Sequence, residues 1–164
     1  MGDSPIRVVF DCVVFLQGAA RRGNAARACL DLADDGKVEL CLSADVLREI
    51  DDVLQRPEIL RKFPLIDSHV SQTLLLTLRN RATFVANVPK AFRLPRDLDD
   101  EPYTDLAIAA DAQFLVTWND RHLTYLMRKD TPEGIEFCNR FPTLRIVDPP
   151  TFLNAIRAIG TAPR

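Results

Sequence analysis

Little glycine, few aromatics and only two histidines narrow what this chain can do. Six glycines in 164 residues leave neither a GxGxxG nor a GxxxxGK[ST] stretch, so dinucleotide and P-loop binding lack the backbone they need. No GxSxG elbow for a nucleophilic serine occurs. His69 and His122 are far apart and outside any HExxH setting. They read as surface or capping residues. The four cysteines, Cys12, Cys29, Cys41 and Cys138, form no CxxC pair, which excludes a zinc knuckle. They read as free thiols in a reducing compartment. No apolar run approaches the roughly 18 residues of a membrane span, and residues 1–7 lack the apolar core of a secretory signal. A cytoplasmic protein without a membrane partner is expected.

Charge of one sign is also missing. Lys and Arg total 21 against 23 Asp and Glu, a formal charge of −2, which excludes a strong bulk electrostatic grip on nucleic acid. A local basic rim remains open, with Arg21, Arg22, Arg79, Arg81, Arg121 and Arg128 available. Taken singly, each reads as solvated surface. With 47% hydrophobic and 27% charged residues, the chain can fill a core of its own. The expectation is one domain over residues 1–164, with its core over about 7–158 and frayed ends.

Hydrophobic periodicity orders the elements. Ile6–Phe10 is a β-branched apolar run ended by Asp11, which predicts a buried strand. Val13–Gly18 reads as a turn and Gly18–Gly23 as a loop. Asn24 caps a helix over Ala25–Asp34, and Gly36 fits its exit. Val38–Leu42 is the second strand. Ser43 opens a helix with an apolar stripe of Val46, Leu47, Ile50, Val53 and Leu54, ended at Arg56-Pro57. Arg61–Pro64 reads as a kink or short turn, Val70–Leu78 as a helix, and Thr83–Val85 as a short strand. A proline-containing loop then runs over 87–100. Tyr103–Ala110 predicts a helix, Phe114–Thr117 a strand, and His122–Met127 a short helix. Leu144–Val147 is the last strand, and Pro149-Pro150 precede a helix over 152–159. This alternation implies crossover connections. The fold class expected is α/β: a three-layer α/β/α sandwich around a mostly parallel, about five-stranded sheet.

A parallel sheet brings its strand C-terminal ends to one edge. Asp11 ends the first strand, and Asn119 and Asp120 follow the strand Phe114–Thr117. Asp97, Asp99, Asp100 and Glu101 precede the helix feeding that strand. Glu49 lies about 90° from the apolar centre of its helix, at the border where it can reach the sheet edge. Asp105 falls about 150° from its helix's apolar centre, which predicts a surface position. Each acid also has a structural reading: Asp11 as the cap of the Val13–Gly18 turn or an acceptor of backbone N–H bonds, Asp100 as a helix cap, Glu49 as a boundary glutamate paired with an arginine. Converging carboxylates repel unless a cation neutralises them, and oxygen-rich clusters suit Mg²⁺ or Mn²⁺. The chemistry open to such a cluster is phosphodiester hydrolysis by activated water.

The stretches Arg7–Asp11, Leu42–Ile50, Asp97–Ala109 and Ala112–Asn119, in this order and spacing, resemble the PIN domain (PilT N-terminus), the fold of VapC-type toxin ribonucleases. The resemblance spans about Arg7 to Ala158. It implies that Asp11, Glu49 and Asp100 are the first three metal-binding acids, with Asn119 at the fourth catalytic position and neighbouring Asp120 able to supply a ligand. It implies Mg²⁺ or Mn²⁺ as cofactor and RNA as substrate. A small antitoxin protein and a second copy of the chain are implied as partners. Two positions depart from the family pattern. Asn119 stands where aspartate is frequent, and Val13 replaces the asparagine or serine two residues after the first acid. The leading expectation is a metal-dependent ribonuclease, a toxin of a toxin–antitoxin pair. The alternative is a catalytically degenerate PIN domain that binds RNA or protein.

Overall fold

A computed structural model describes residues 4–94 and 98–161. Its five strands are β1 (Arg7–Phe10), β2 (Glu39–Leu42), β3 (Thr83–Phe84), β4 (Phe114–Val116) and β5 (Arg145–Val147). They form one sheet in the order β3-β2-β1-β4-β5, every neighbouring pair parallel. Val9 pairs with Leu115, and Leu115 with Ile146. The central strands are buried almost without interruption. That is the signature of a sheet covered on both faces, and the architecture is the expected three-layer α/β/α sandwich with a parallel sheet. The chain runs outward from β1 to β2 and β3, then returns to build β4 and β5 on the other side. The reversal falls between β1 and β4, where the crevice of an open parallel sheet forms.

The helices are α1 (Cys12–Ala20), α2 (Ala25–Asp34), α3 (Ala44–Leu54), α4 (Pro57–Lys62), α5 (Ser68–Arg81), α6 (Glu101–Ala109), α7 (Pro132–Arg140) and α8 (Pro149–Thr161). Short polar side chains start several of them. Asn24 accepts from the Arg27 N–H at 2.7 Å, Ser43 from Val46 at 3.1 Å, and Asp67 from Val70 at 2.8 Å. Each satisfies one of the orphan donors of a first turn. On one side of the sheet Phe152 of α8 meets Phe10 and Phe114 edge to face, and Phe10 meets Phe15 of α1. Burying each such ring is worth roughly 1.5–3 kcal/mol. α6 packs over β1, β2 and β4, with α3 against it.

Four local expectations are corrected. Residues 12–20 form a helix, not a turn running into a loop. Gly18 lies inside it because a side chain there would strike Leu30 of α2, 2.4 Å from the position of a Cβ. The α1–α2 connection is confined to Arg21–Asn24, where Gly23 takes φ +81°, a left-handed conformation that glycine accepts without penalty. Residues 57–60, given no element, and the first two residues of the segment read as a kink or short turn form α4, started by Pro57 at its N-terminal turn. Residues 132–140, not predicted as an element, form α7, capped by Thr131 with Pro132 in the first turn. The short helix expected over 122–127 is a 3-10 helix confined to 124–127.

Candidate functional site

Asp11 sits at the end of β1 and caps α1. One carboxylate oxygen accepts from the Val14 N–H at 3.2 Å. The other accepts from the hydroxyl of Thr117, the residue that follows β4. Asp11 is only 6% exposed. Burial holds its carboxyl above the ordinary value of 3.8, opposed by the bonds from Thr117 and the Val14 and Val13 N–H groups and reinforced by the charge of Glu49. The two oxygens do different things: one caps α1 and the other ties the end of β1 to the end of β4.

Asp100 ends a 3-10 turn over Leu98–Asp100 and precedes α6, yet its side chain makes no capping bond. It accepts instead from the Asn119 amide at 2.8 Å, and His122 Nδ1 stands 3.9 Å away. Asn119 is spanned in turn. Its side-chain oxygen accepts from the His122 N–H at 3.1 Å, and its own N–H donates to Thr117 Oγ1 at 3.0 Å. A chain of polar contacts therefore runs Asp11–Thr117–Asn119–Asp100 across the ends of β1 and β4. Glu49 faces the same space from the half-buried side of α3.

Asp11, Glu49, Asp100 and Asn119 line a single open cleft of about 400 Å³ together with Cys12, Val13, Tyr103 and Trp118. Three of these were not singled out by sequence reasoning. Tyr103 is 2% exposed, and its hydroxyl makes no well-formed hydrogen bond. Burial and the neighbouring Cys12, Glu49 and Asp11 push its phenol far up. The Cys12 thiol is pushed up to about 12, by burial first and then by Glu49 and Asp11, so it carries no thiolate at neutral pH. Trp118 is 40% exposed at the lip, and its indole N–H donates to Gln17 at 2.6 Å. Thr117, fully buried beneath the cleft, is the pivot that sequence reasoning passed over. Its only signal was a hydroxyl residue between an apolar strand and a polar triplet.

The remaining acids disperse. Asp120 is exposed, accepts from the Thr124 hydroxyl at 3.0 Å and does not line the cleft. Asp105 is buried at 6%, which corrects its expected surface position. It accepts from the Ala91 and Phe92 N–H groups at 2.9 and 3.3 Å, while Glu101 accepts from Leu94 at 2.8 Å. These two acids tether the strap over residues 91–94 to α6. Asp97 lies outside the described residues. All four cysteines are free.

A divalent cation needs several donors aimed at one point. Among the described residues, no group of three or more His, Cys, Asp or Glu side chains is placed to hold a metal ion. The acids share a cleft without forming such a cage: Asp11 is taken up by Thr117 and Val14, and Asp100 by Asn119. As arranged, the described residues do not fit the metal the resemblance implies. Among the described residues, no helix is long and apolar enough to cross a membrane.

Comparison with known families matches a model described as "PIN domain" over residues 7–121. Among solved structures, the chain is similar to one described as VapBC2 from Rickettsia felis bound to a DNA fragment from their promoter. The TM-score is 0.49 at 15% sequence identity, over 87% of this chain and 98% of that one. Comparison with curated proteins returned no match.

Proposed function

The chain belongs to the PIN-domain family, and from that premise we propose that this member acts by binding at its acidic cleft and not by metal-dependent cleavage. One observation carries the reading. Two of the three acids that line the cleft, Asp11 and Asp100, are engaged by Thr117, Val14 and Asn119, and no group able to hold a cation is assembled among the described residues. A cleft left acidic repels phosphate and attracts positive groups. Exposed Trp118 and Val13 add apolar contact at its rim, and a rigid aromatic beside charge is the usual anchor of a protein interface. The occupant that fits is a cationic segment of a partner protein. A small antitoxin is the partner that the VapC-type resemblance suggests. The test is RNA digestion with and without Mn²⁺. The reading expects no divalent-dependent cleavage, and retained binding of a lysine- and arginine-rich peptide that Glu49→Gln weakens.

A second reading is kept for one reason: four residues from four separate segments, Asp11, Glu49, Asp100 and Asn119, face one space. That convergence favours a divalent-dependent ribonuclease acting on RNA phosphodiesters. Cleavage that appears with Mn²⁺ and disappears in Asp11→Asn would select it over the binding reading.

A further inference from the structure

The outermost strand β5, paired with β4, has its edge closed by sulfur. Arg145 donates its N–H to the Gln113 carbonyl at 2.9 Å, and the Val147 carbonyl accepts from the Thr117 N–H at 2.9 Å. Ile146 lies between them, so its N–H points away from β4 to the edge of the sheet. Ile146 is only 2% exposed, and a buried N–H needs an acceptor. It donates to Met127 Sδ at 3.3 Å. Met127 ends the 3-10 helix over Thr124–Met127, which packs against β5 and α7. A second sulfur holds the same helix: the Cys138 thiol of α7 donates to the Leu126 carbonyl at 3.3 Å. Tyr125 and Leu126 are buried, whereas Met127 and Cys138 are partly exposed. A thioether is a weak acceptor, and it is also the side chain of this helix that a peroxide can oxidise.

We propose that Met127 is an oxidation site, and that its conversion to the sulfoxide by a peroxide unlatches the 3-10 helix from the β5 edge. Met127 does not line the acidic cleft, and its role stands whatever occupies that cleft. In the step, a sulfur lone pair attacks one oxygen of hydrogen peroxide. An S–O bond forms and the O–O bond breaks. The proton of the attacked oxygen passes to the leaving one, which departs as water. Sulfur is oxidised and the peroxide reduced. The product cannot keep the present contact. An N–H···O bond alone spans about 2.9 Å, so an oxygen on this sulfur does not fit within the 3.3 Å between sulfur and nitrogen unless the helix backs away. Turned elsewhere, the oxygen puts a polar group into the contact that Met127 makes with the apolar core. An uncovered edge presents its N–H and C=O groups to any other strand. Three of the thiols compete poorly for the oxidant. Burial above all pushes Cys12 and Cys29 up to about 12 and Cys41 up to about 11, which leaves them little thiolate at neutral pH. Cys138, on the same helix contact, is the thiol to replace.

Met1 is the chain's only other methionine, so an added oxygen is readily assigned by peptide mass mapping. The probe is dilute hydrogen peroxide applied to the folded parent, to Cys138→Ser and to Met127→Leu, with hydrogen exchange followed at the Ile146 amide. Cys138→Ser keeps a hydroxyl donor for the Leu126 carbonyl. The expected result in the parent and in Cys138→Ser is one oxygen on Met127 and exchange at Ile146 faster by about fivefold or more, the loss of one hydrogen bond. Methionine sulfoxide reductases of both epimer specificities should then restore slow exchange. Met127→Leu should exchange faster than the parent from the outset, because leucine offers no acceptor, and should not respond to peroxide. Met127 left intact by peroxide that oxidises free methionine would overturn the proposal, as would sulfoxide at Met127 with unchanged exchange at Ile146. Exchange that stays fast after the oxygen is removed would overturn it too. A response in the parent that is missing from Cys138→Ser, or that persists in Met127→Leu, would overturn it in favour of another oxidised group.

Discussion

The acidic cleft and the basic groove of Arg21, Arg22 and Lys62 adjoin where Trp118 of the one bonds Gln17 of the other, yet they are built in opposite ways. The acids come from four distant segments and only the fold brings them together. The arginines come from two adjacent positions in one short connection and stay in solvent. Asp11 is buried and bonded at both oxygens, while Arg21 and Arg22 form no ion pair among the described residues. A buried charge is costly unless its hydrogen bonds are complete, so the cleft couples strongly to folding. The groove can change with little effect on stability.

The largest test of that contrast is Thr117→Val. It keeps the shape of the side chain but removes the donor to Asp11 and the acceptor for the Asn119 N–H. Leaving a buried charge short of a partner should cost about 3 kcal/mol, read as a drop in the urea midpoint. A loss as small as that of an exposed substitution would mean that Asp11 does not depend on the pivot.

Next is Asp105→Ala, which orphans the Ala91 and Phe92 N–H groups. A loss of about 2 kcal/mol is expected, with faster hydrogen exchange at those two amides. Unchanged exchange there would show that the strap is held by other contacts.

A smaller effect concerns pH. Because burial holds the Asp11 carboxyl above 3.8, the folded protein takes up its proton at higher pH than the unfolded chain does. This group's contribution to stability therefore falls as pH rises from 3.8 through the folded value. Asp11→Asn removes that slope, so the variant should gain on the parent in urea melts as pH rises above 3.8. A constant gap between the two would contradict burial as the dominant cause.

Gln17→Ala should matter least to the fold, shifting stability by less than about 0.5 kcal/mol. It should still alter Trp118 emission, because the indole loses its fixed partner. An unaltered emission spectrum would show that Gln17 does not fix the indole.

The sheet was legible in the residues because each central strand is a short β-branched run bounded by a cap or a turn. The shared position of Asp11, Glu49, Asp100 and Asn119 followed from strand ends lying on one edge. Helix α1 was hidden because Cys12–Ala20 is apolar nearly all round. It shows no amphipathic period and looks like the continuation of β1. Gly18 read as a breaker, whereas close packing against Leu30 is what requires it. Helix α7 had a visible start in Thr131-Pro132 that went unused. Asp105 was misplaced because a helical wheel sends polar residues to solvent. Here a strap covers that face, and its N–H groups need a buried acceptor. The cation cage failed for a related reason: position along the chain brings acids to one cleft but does not say which oxygens are already taken.

The most direct test of the binding account is a calorimetric titration of the folded protein with Mn²⁺. No saturable heat of binding at the cleft is the predicted result, identical in the parent and in Asp11→Asn. A stoichiometric heat that vanishes in Asp11→Asn would contradict the account and restore the metal-dependent ribonuclease.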